Sequence, residues 1–411
     1  MTRTNYFLVG LVILVFFVIS FLTNILGPII PAIIEDFELS LGLAGFLPFT
    51  FFVAYGVMSI PAGILVERYR EKKVMLLAFV CSSIGAFLFA IVPSFGVAMI
   101  SLFLIGLGMA MLQVVINPLL REVGGEEQFA FNSVLGQLFF GLAGFLSPMV
   151  YSYLATNLFT DSPDAFIGMM ESIVPESLPW VSLYWIFAIV SLVMVAVIFL
   201  VRFPEVQLKE DERAGTWDTY RELLQQRMVW AYFLCIFAYV GMESGIANWM
   251  SQFLNTYHNV DPQTDGASTV SYFWGLMTAG AFLGLILLKF LDSKIVLRLF
   301  AIATVIGLLA ALFGGKEVAL IAFPALGFTI SVIWSISISL ALNSVASHHG
   351  ALSGILITGI VGGAIVPLII GGLGDLVGLR WAMCFIFIPL GYVLSVSFWA
   401  KPLVANKTVG G

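Results

Sequence analysis

Twelve separate runs of about 20 apolar residues recur along this 411-residue chain, and a polypeptide built this way folds stably only where hydrocarbon surrounds it. In the first half they read approximately Phe7 to Ile33, Gly42 to Val66, Val74 to Val92, Gly96 to Leu119, Phe129 to Leu154 and Val181 to Val201. The second half gives Val229 to Leu254, Val270 to Leu291, Ile295 to Phe313, Val318 to Leu342, Ala351 to Gly374 and Trp381 to Ala400. Each run is continuous rather than alternating, so the spans are helices and not barrel strands. Charged residues make up only 10% of the chain, against roughly 25% in a soluble domain, which excludes a soluble protein.

Charge in the connections sets the expected orientation. With both termini on the cytoplasmic side, that side holds sixteen lysines and arginines, including Arg3, Arg68, Arg70, Lys72, Lys73, Lys209, Arg213, Arg221, Arg227 and Lys407, while the other keeps two, Lys316 and Arg380. The positive-inside rule then favours an even number of spans with both ends in the cytoplasm. The net charge of -6 reflects an acidic outer face that includes Glu35, Asp36, Glu38, Asp161 and Asp164. No nucleic-acid signature is present. Cys81, Cys235 and Cys384 fall inside apolar spans, where cysteine acts as a small hydrophobe, and they suggest neither disulfides nor a metal site.

The most charged stretch, Arg202 to Arg227, divides the spans six and six, giving an N-terminal bundle over 1–203, a cytoplasmic linker over 204–228 and a C-terminal bundle over 229–411. Within the linker, Thr219-x-x-Glu222 has the spacing of a helix cap, and Trp217, Tyr220 and Leu224 would lie along the membrane surface. The longest loop on the other side, Asn157 to Trp180, carries Pro163, Pro175 and Pro179 and reads as a solvated loop rather than a lid. The halves echo one another. Gly144-x-x-x-Pro148 corresponds to Gly363-x-x-x-Pro367, and Asn117 to Gly124 matches Asn343 to Gly350 in spacing, as expected for duplicated units rocking about a midplane site. Glycines inside the spans, such as Gly141 and Gly144, let helices approach closely.

Glu243 is the only carboxylate well inside an apolar run. An ionisable group at mid-membrane costs roughly 2.5 to 3.5 kcal/mol on insertion scales, so it marks a functional site by default.

The segment Gly63-Ile-Leu-Val-Glu-Arg-Tyr-Arg-Glu-Lys-Lys73 resembles the cytoplasmic signature of the major facilitator superfamily, with Arg70 where a glycine is usual. Leu112-Gln-Val-Val-Ile-Asn-Pro118, Asn24-Ile-Leu-Gly-Pro28, Tyr239-Val-Gly-Met-Glu243 and Gly362 to Gly371 with Asp375 resemble its fucose/galactose/glucose permease branch, and the likeness covers nearly the whole chain. The resemblance implies an all-α membrane protein of twelve transmembrane helices in two pseudo-symmetric six-helix bundles, in a bacterial inner membrane, moving a sugar with a coupling cation. It implies a cytoplasmic gate at Gly63, Glu67, Arg68 and Lys72, with Glu67 and Arg68 latching neighbouring helices. The chain departs from the fucose-type members in where its carboxylates stand. Fucose-type members carry an Asp where Asn24 stands and a Glu where Gln113 stands, whereas here both are amides and the charge sits at Glu243, as in glucose/galactose-type members.

Read physically, Gln113 and Asn117 share a face of span four at i and i+4, and Asn24 shares one with Ser20. Lipid offers amides no partner, so they point inward, either as helix-to-helix glue or as groups matching the hydroxyls of a sugar ring. Gln137 matches a glutamine of the branch on span five, while Phe140 replaces its asparagine and narrows or dries one wall. Trp249, Trp274 and Trp334 are candidate stacking platforms for a sugar face. Trp249 lies about 120° round the helix from Glu243 and reaches the same space only if Gly241 or Gly245 bends the span. Tyr272 and Thr278 are weaker polar candidates.

Glu243 either takes up a proton or, ionised, ligates sodium with amide oxygens of Asn24, Gln113 or Asn117. The two amide replacements favour sodium. The expected function is cation-coupled sugar symport by alternating access in a monomer within the lipid bilayer. The rivals are a proton-coupled exporter of amphipathic drugs and a non-transporting sensor or scaffold. Enzyme and cofactor readings lack support, since Gly372-x-Gly374 with Gly378 is a poor dinucleotide match and His258, His348 and His349 lack metal spacing.

Overall fold

Uninterrupted apolar sequence becomes uninterrupted helix, because in hydrocarbon each backbone N–H must find its carbonyl within the same segment. The computed structural model describes residues 5–125, 128–160, 164–204, 217–345 and 348–403. Arg3, Asp161, Pro163, Lys209, Arg213, Lys407 and linker residues 205–216 lie outside them. Among the described residues twelve helices are long and apolar enough to cross a membrane. Spans one to six are Tyr6–Asp36, Leu41–Tyr69, Glu71–Ile91, Phe95–Gly124, Phe131–Asn157 and Val181–Leu200. Spans seven to twelve are Arg227–His258, Pro262–Phe290, Ser293–Phe313, Lys316–Leu342, Gly350–Val377 and Leu379–Trp399.

Packing repeats with a shift of six. Span one lies on span five as seven lies on eleven; two lies on four as eight lies on ten; three contacts six as nine contacts twelve. The two six-helix bundles meet through spans two and eleven, five and eight, and one and seven, each pair mapping onto another or itself under the same shift. Cross-bundle packing is tight at the face away from the chain termini, here called the far face. Leu26–Asp36 of span one packs on span seven, and Leu41–Ala44, opening span two, packs on Gly362–Val377 of span eleven. Gly27 and Gly371 permit this approach, since a Cβ on either would strike the carbonyl oxygen of Ala247 or Leu41.

Among the described residues, spans one, ten and eleven are irregular beside the bundle interface. Span one is interrupted at Asn24 and Ile25, where Pro28 has no N–H for the Asn24 carbonyl and its ring crowds that residue. Span ten breaks at Ser331 and Val332, where the Ser331 hydroxyl donates to its own turn at the Phe328 carbonyl, 2.8 Å away. Span eleven tightens to a 3₁₀ turn over Gly359–Val361. Irregular backbone at this depth persists only where protein or an aqueous cavity covers it.

The corner between spans two and three explains the unusual Arg70. Its φ of 70° and ψ of 161° fall where essentially only glycine is at ease. Gly125 and Gly378 occupy matching corners with φ of 80° and 82°. Arg70→Gly is therefore expected to stabilise the protein by roughly 1 kcal/mol, raising the thermal unfolding midpoint in detergent, whereas Arg70→Ala leaves the strain in place.

Two expectations for the connections need correction. The linker helix runs Trp217–Leu224, so Thr219 sits inside it and does not cap it. Tyr220 and Leu223 turn inward to bury, while Trp217 is 80% exposed. The far-face loop is not simply solvated either. It forms a helix, Ala165–Glu171, capped by Asp164, with Ile167 and Met170 buried beneath it. Glu171 accepts from the Phe159 N–H at 2.7 Å, and Trp180 donates to Asp36 at 2.6 Å, tying the loop to the first bundle. The Ile167 N–H and the Tyr153 hydroxyl hold the Asp164 carboxyl below its usual range.

Candidate functional site

Glu243 lies midway along span seven and opens onto a cavity of about 460 Å³ between the bundles, a size typical of small-ligand sites at roughly 300 to 1,000 Å³. The lining brings together Asn24, Gln113, Gln137, Glu243, Trp274 and Trp334, contributed by spans one, four, five, seven, eight and ten. Among the described residues, Glu243 is the only charged side chain in it. The cavity reaches Ser133, near the start of span five, and Leu288, near the end of span eight, so it runs from mid-membrane towards the face bearing the termini.

One wall is amide-rich. The Asn24 side chain donates to Ser20 at 2.9 Å, one turn back, which confirms their shared face and fixes the amide at the helix break. Asn24 and Trp274 both press on Gly144, whose Cβ would lie 3.1 and 3.2 Å from them, so the bareness of this glycine sets how closely spans one, five and eight converge. Opposite lies the carboxylate. Tyr239, one turn before Glu243, is its close neighbour, although the geometry falls short of a hydrogen bond, and the Tyr239 ring packs against Trp334 at 6.0 Å. Ser133 Oγ, Tyr239 Oη and Trp274 Nε1 belong to lining residues and are buried without a hydrogen-bond partner in the protein.

Three candidates fall outside. Trp249 is fully buried between spans seven and eleven, where its indole N–H donates to the Pro367 carbonyl at 3.0 Å. Gly241 and Gly245 do not bend the helix towards the cavity; they admit Val366 and Ile370 of span eleven. Asn117 is exposed and absent from the lining, and Tyr272 is 56% exposed on the outside of span eight. Thr278 does line the cavity, its hydroxyl donating to the Trp274 carbonyl at 3.1 Å, and so does Phe140. Tyr55, Ser244, Asn248, Ser331 and Ser335 line the cavity as well. Ser244 and Asn248 were legible as an i, i+4 polar pair immediately beside Glu243.

At the face bearing the termini, the gate residues sit at the end of span two. Arg68 lies over the Tyr69 ring at 5.3 Å, and Glu67 approaches Tyr220 of the linker helix. Burial, with Glu67 adding to it, pushes the Tyr220 phenol up, so it stays neutral. Lys72 instead serves its own bundle: it donates to the Phe199 and Val201 carbonyls at 2.8 and 2.7 Å, closing the C-terminus of span six. Gly63 lies half-buried one turn before Glu67.

The family model for the Major Facilitator Superfamily matches residues 12–359. A glucose/galactose transporter of Brucella abortus is 30% identical over 406 residues, covering 95% of this chain and 94% of the relative. The L-fucose-proton symporter of Escherichia coli is 24% identical over 396 residues, covering 90% and 89%. The crystal structure of the transporter FucP in the outward conformation superposes with a TM-score of 0.69 at 21% identity, covering 96% of this chain and 98% of that one.

Proposed function

The chain belongs to the major facilitator superfamily and is a transporter, not an enzyme, and on that premise we propose that it moves a hexose-like sugar by alternating access, driven by a cation coupled through Glu243. The observation that carries this reading is the single cavity in which Asn24, Gln113 and Gln137 face one carboxylate and two tryptophans. Amides donate and accept like sugar hydroxyls, tryptophan faces cover the apolar side of a pyranose, and the lone carboxylate gives the coupling ion one place to act. The relatives named for glucose/galactose and fucose-proton transport support the substrate class and the coupling.

The two bundles, 1–203 and 229–411, are the rocking bodies, joined by the linker 204–228. With the basic connections in the cytoplasm of a bacterial inner membrane, the cavity opens inward and the far face is the closed extracytoplasmic gate. Purified protein in liposomes, given labelled glucose, galactose or fucose under an imposed sodium or proton gradient, is expected to accumulate at least one of them saturably. Accumulation of none, with extrusion of a fluorescent amphipath instead, overturns the sugar reading in favour of drug export. Loss of both activities favours a sensor or scaffold.

A further inference from the structure

A second cavity of about 560 Å³ lies at the opposite depth from the far-face contacts, where the linker helix crosses the ends of spans two, seven and eleven. Ile60 and Ile64 form one wall, Phe233 and Ile355 another, and Trp217 and Tyr220 of the linker helix the roof. The Tyr220 hydroxyl lies close to Gly354, whose Cβ would sit 3.4 Å from it, an ordinary contact distance. The cleft is almost wholly apolar, it receives side chains from both bundles, and the sugar site uses none of its residues.

Depth and charge identify the occupant. Ile64 and Ile60 lie five and nine residues before the end of span two, roughly 8 and 14 Å inside it at about 1.5 Å per residue. Phe233 lies six residues, about 9 Å, into span seven, and Ile355 five residues, about 8 Å, into span eleven. The apolar walls thus occupy the depth of acyl chains. Exposed arginines stand one helical turn along the same faces: Arg68 follows Ile64 by four residues towards the end of span two, Arg227 precedes Trp230, another wall residue, by three at the start of span seven, and Arg221 follows Trp217 by four along the linker helix of the roof. Acidic groups share this rim at Glu67, Asp218 and Glu222, so the cationic positions are discrete points rather than a uniform field.

We infer that this cleft is a binding site for one glycerophospholipid, its acyl chain lying between the linker helix and spans two, seven and eleven and its phosphate held by Arg68, Arg221 and Arg227. Arginine suits a phosphate because its planar fork offers paired donors, and phosphates at this level come from the bilayer itself. The bilayer supplies the ligand at high local concentration, and an apolar cleft at this depth otherwise exposes its walls to headgroups and water. The site stands whether or not the sugar reading holds.

The test is lipid retention, which needs no transport assay. Full-length protein is stripped in detergent, titrated with phosphatidylglycerol and examined by native mass spectrometry, with diacylglycerol as the same tails without phosphate and inorganic phosphate as the headgroup without tails. One phosphatidylglycerol is expected to remain bound, with diacylglycerol at least tenfold weaker and inorganic phosphate not retained. Thr358→Trp, which fills the cleft, should lower retention at least tenfold, and Arg221→Ala several-fold. Ile306→Trp, on the exposed outer face of span nine, should leave it unchanged. Monodisperse elution and an unaltered melting curve establish that each variant is folded. Equal retention of phosphatidylglycerol and diacylglycerol, or retention indifferent to Thr358→Trp in a folded variant, overturns the site.

Discussion

Glu243→Gln is expected to abolish gradient-driven accumulation while sparing exchange of sugar for sugar. The carboxylate is the one charged group in the cavity lining, so no second side chain there can take over ion coupling. Glutamine keeps the size and hydrogen-bonding capacity of the wall and removes only the titration and the charge, so the bundles still rock around bound sugar. With one charge coupled per sugar and 100 mV across the membrane, about 2.3 kcal/mol is available, which limits accumulation to roughly fifty-fold. In the variant the inside-to-outside ratio should fall to about one, because an uncoupled carrier reaches only equal concentrations. Labelled-sugar uptake and counterflow in the same liposomes separate the two effects. Running the wild type with sodium alone and with a pH gradient alone identifies the ion. Persistent accumulation above the external concentration in Glu243→Gln would make the carboxylate structural.

The fold was legible because its dominant signal is one-dimensional. A run such as Val74 to Val92 returns as Glu71–Ile91 since hydrocarbon tolerates little else. The cavity was legible only in part. Asn24, Gln113, Gln137, Trp274 and Trp334 are polar or aromatic interruptions in lipid-like sequence, and their cost pointed inward correctly. Trp249 and Asn117 carry the same signal and point elsewhere, because sequence alone does not say which face of a helix meets its own bundle. For Trp249 the decisive fact is the close approach of span eleven through Gly371, whose Cβ would lie 3.0 Å from the indole. Ser244 and Asn248 were legible by spacing yet stood out less, for the opposite reason. Serine and asparagine are common enough in spans that the more costly neighbour at Glu243 drew the attention.

Asp375 was visible in the sequence only as part of a motif, because its partners are backbone N–H groups more than 300 residues away. Its two carboxylate oxygens accept from the Leu41 and Gly42 N–H groups at 2.8 Å each, at the start of span two. Ser40 caps the same turn through the Leu43 N–H, so three of the first amides are satisfied, two of them by the other bundle. A carboxylate at a helix N-terminus gains from the dipole as well as from the hydrogen bonds. In the proposed alternating-access cycle this clasp forms only while the far face is shut, since opening that face would carry span eleven away from span two. Asp375→Asn should therefore destabilise the far-face-closed state selectively. The clasp is exposed to solvent, so its worth is discounted to about 1 to 2 kcal/mol, a shift of roughly five- to thirtyfold between the two states. With Cys81, Cys235 and Cys384 replaced, a single cysteine at Ala247, which lines the cavity just below the contact with Gly27, reports the opening. Labelling from the far-face side by a membrane-impermeant maleimide should accelerate by that factor in Asp375→Asn, and Asp375→Glu should recover part of the difference. Unchanged labelling would show that apolar packing at Gly27 and Gly371 closes the gate without the carboxylate.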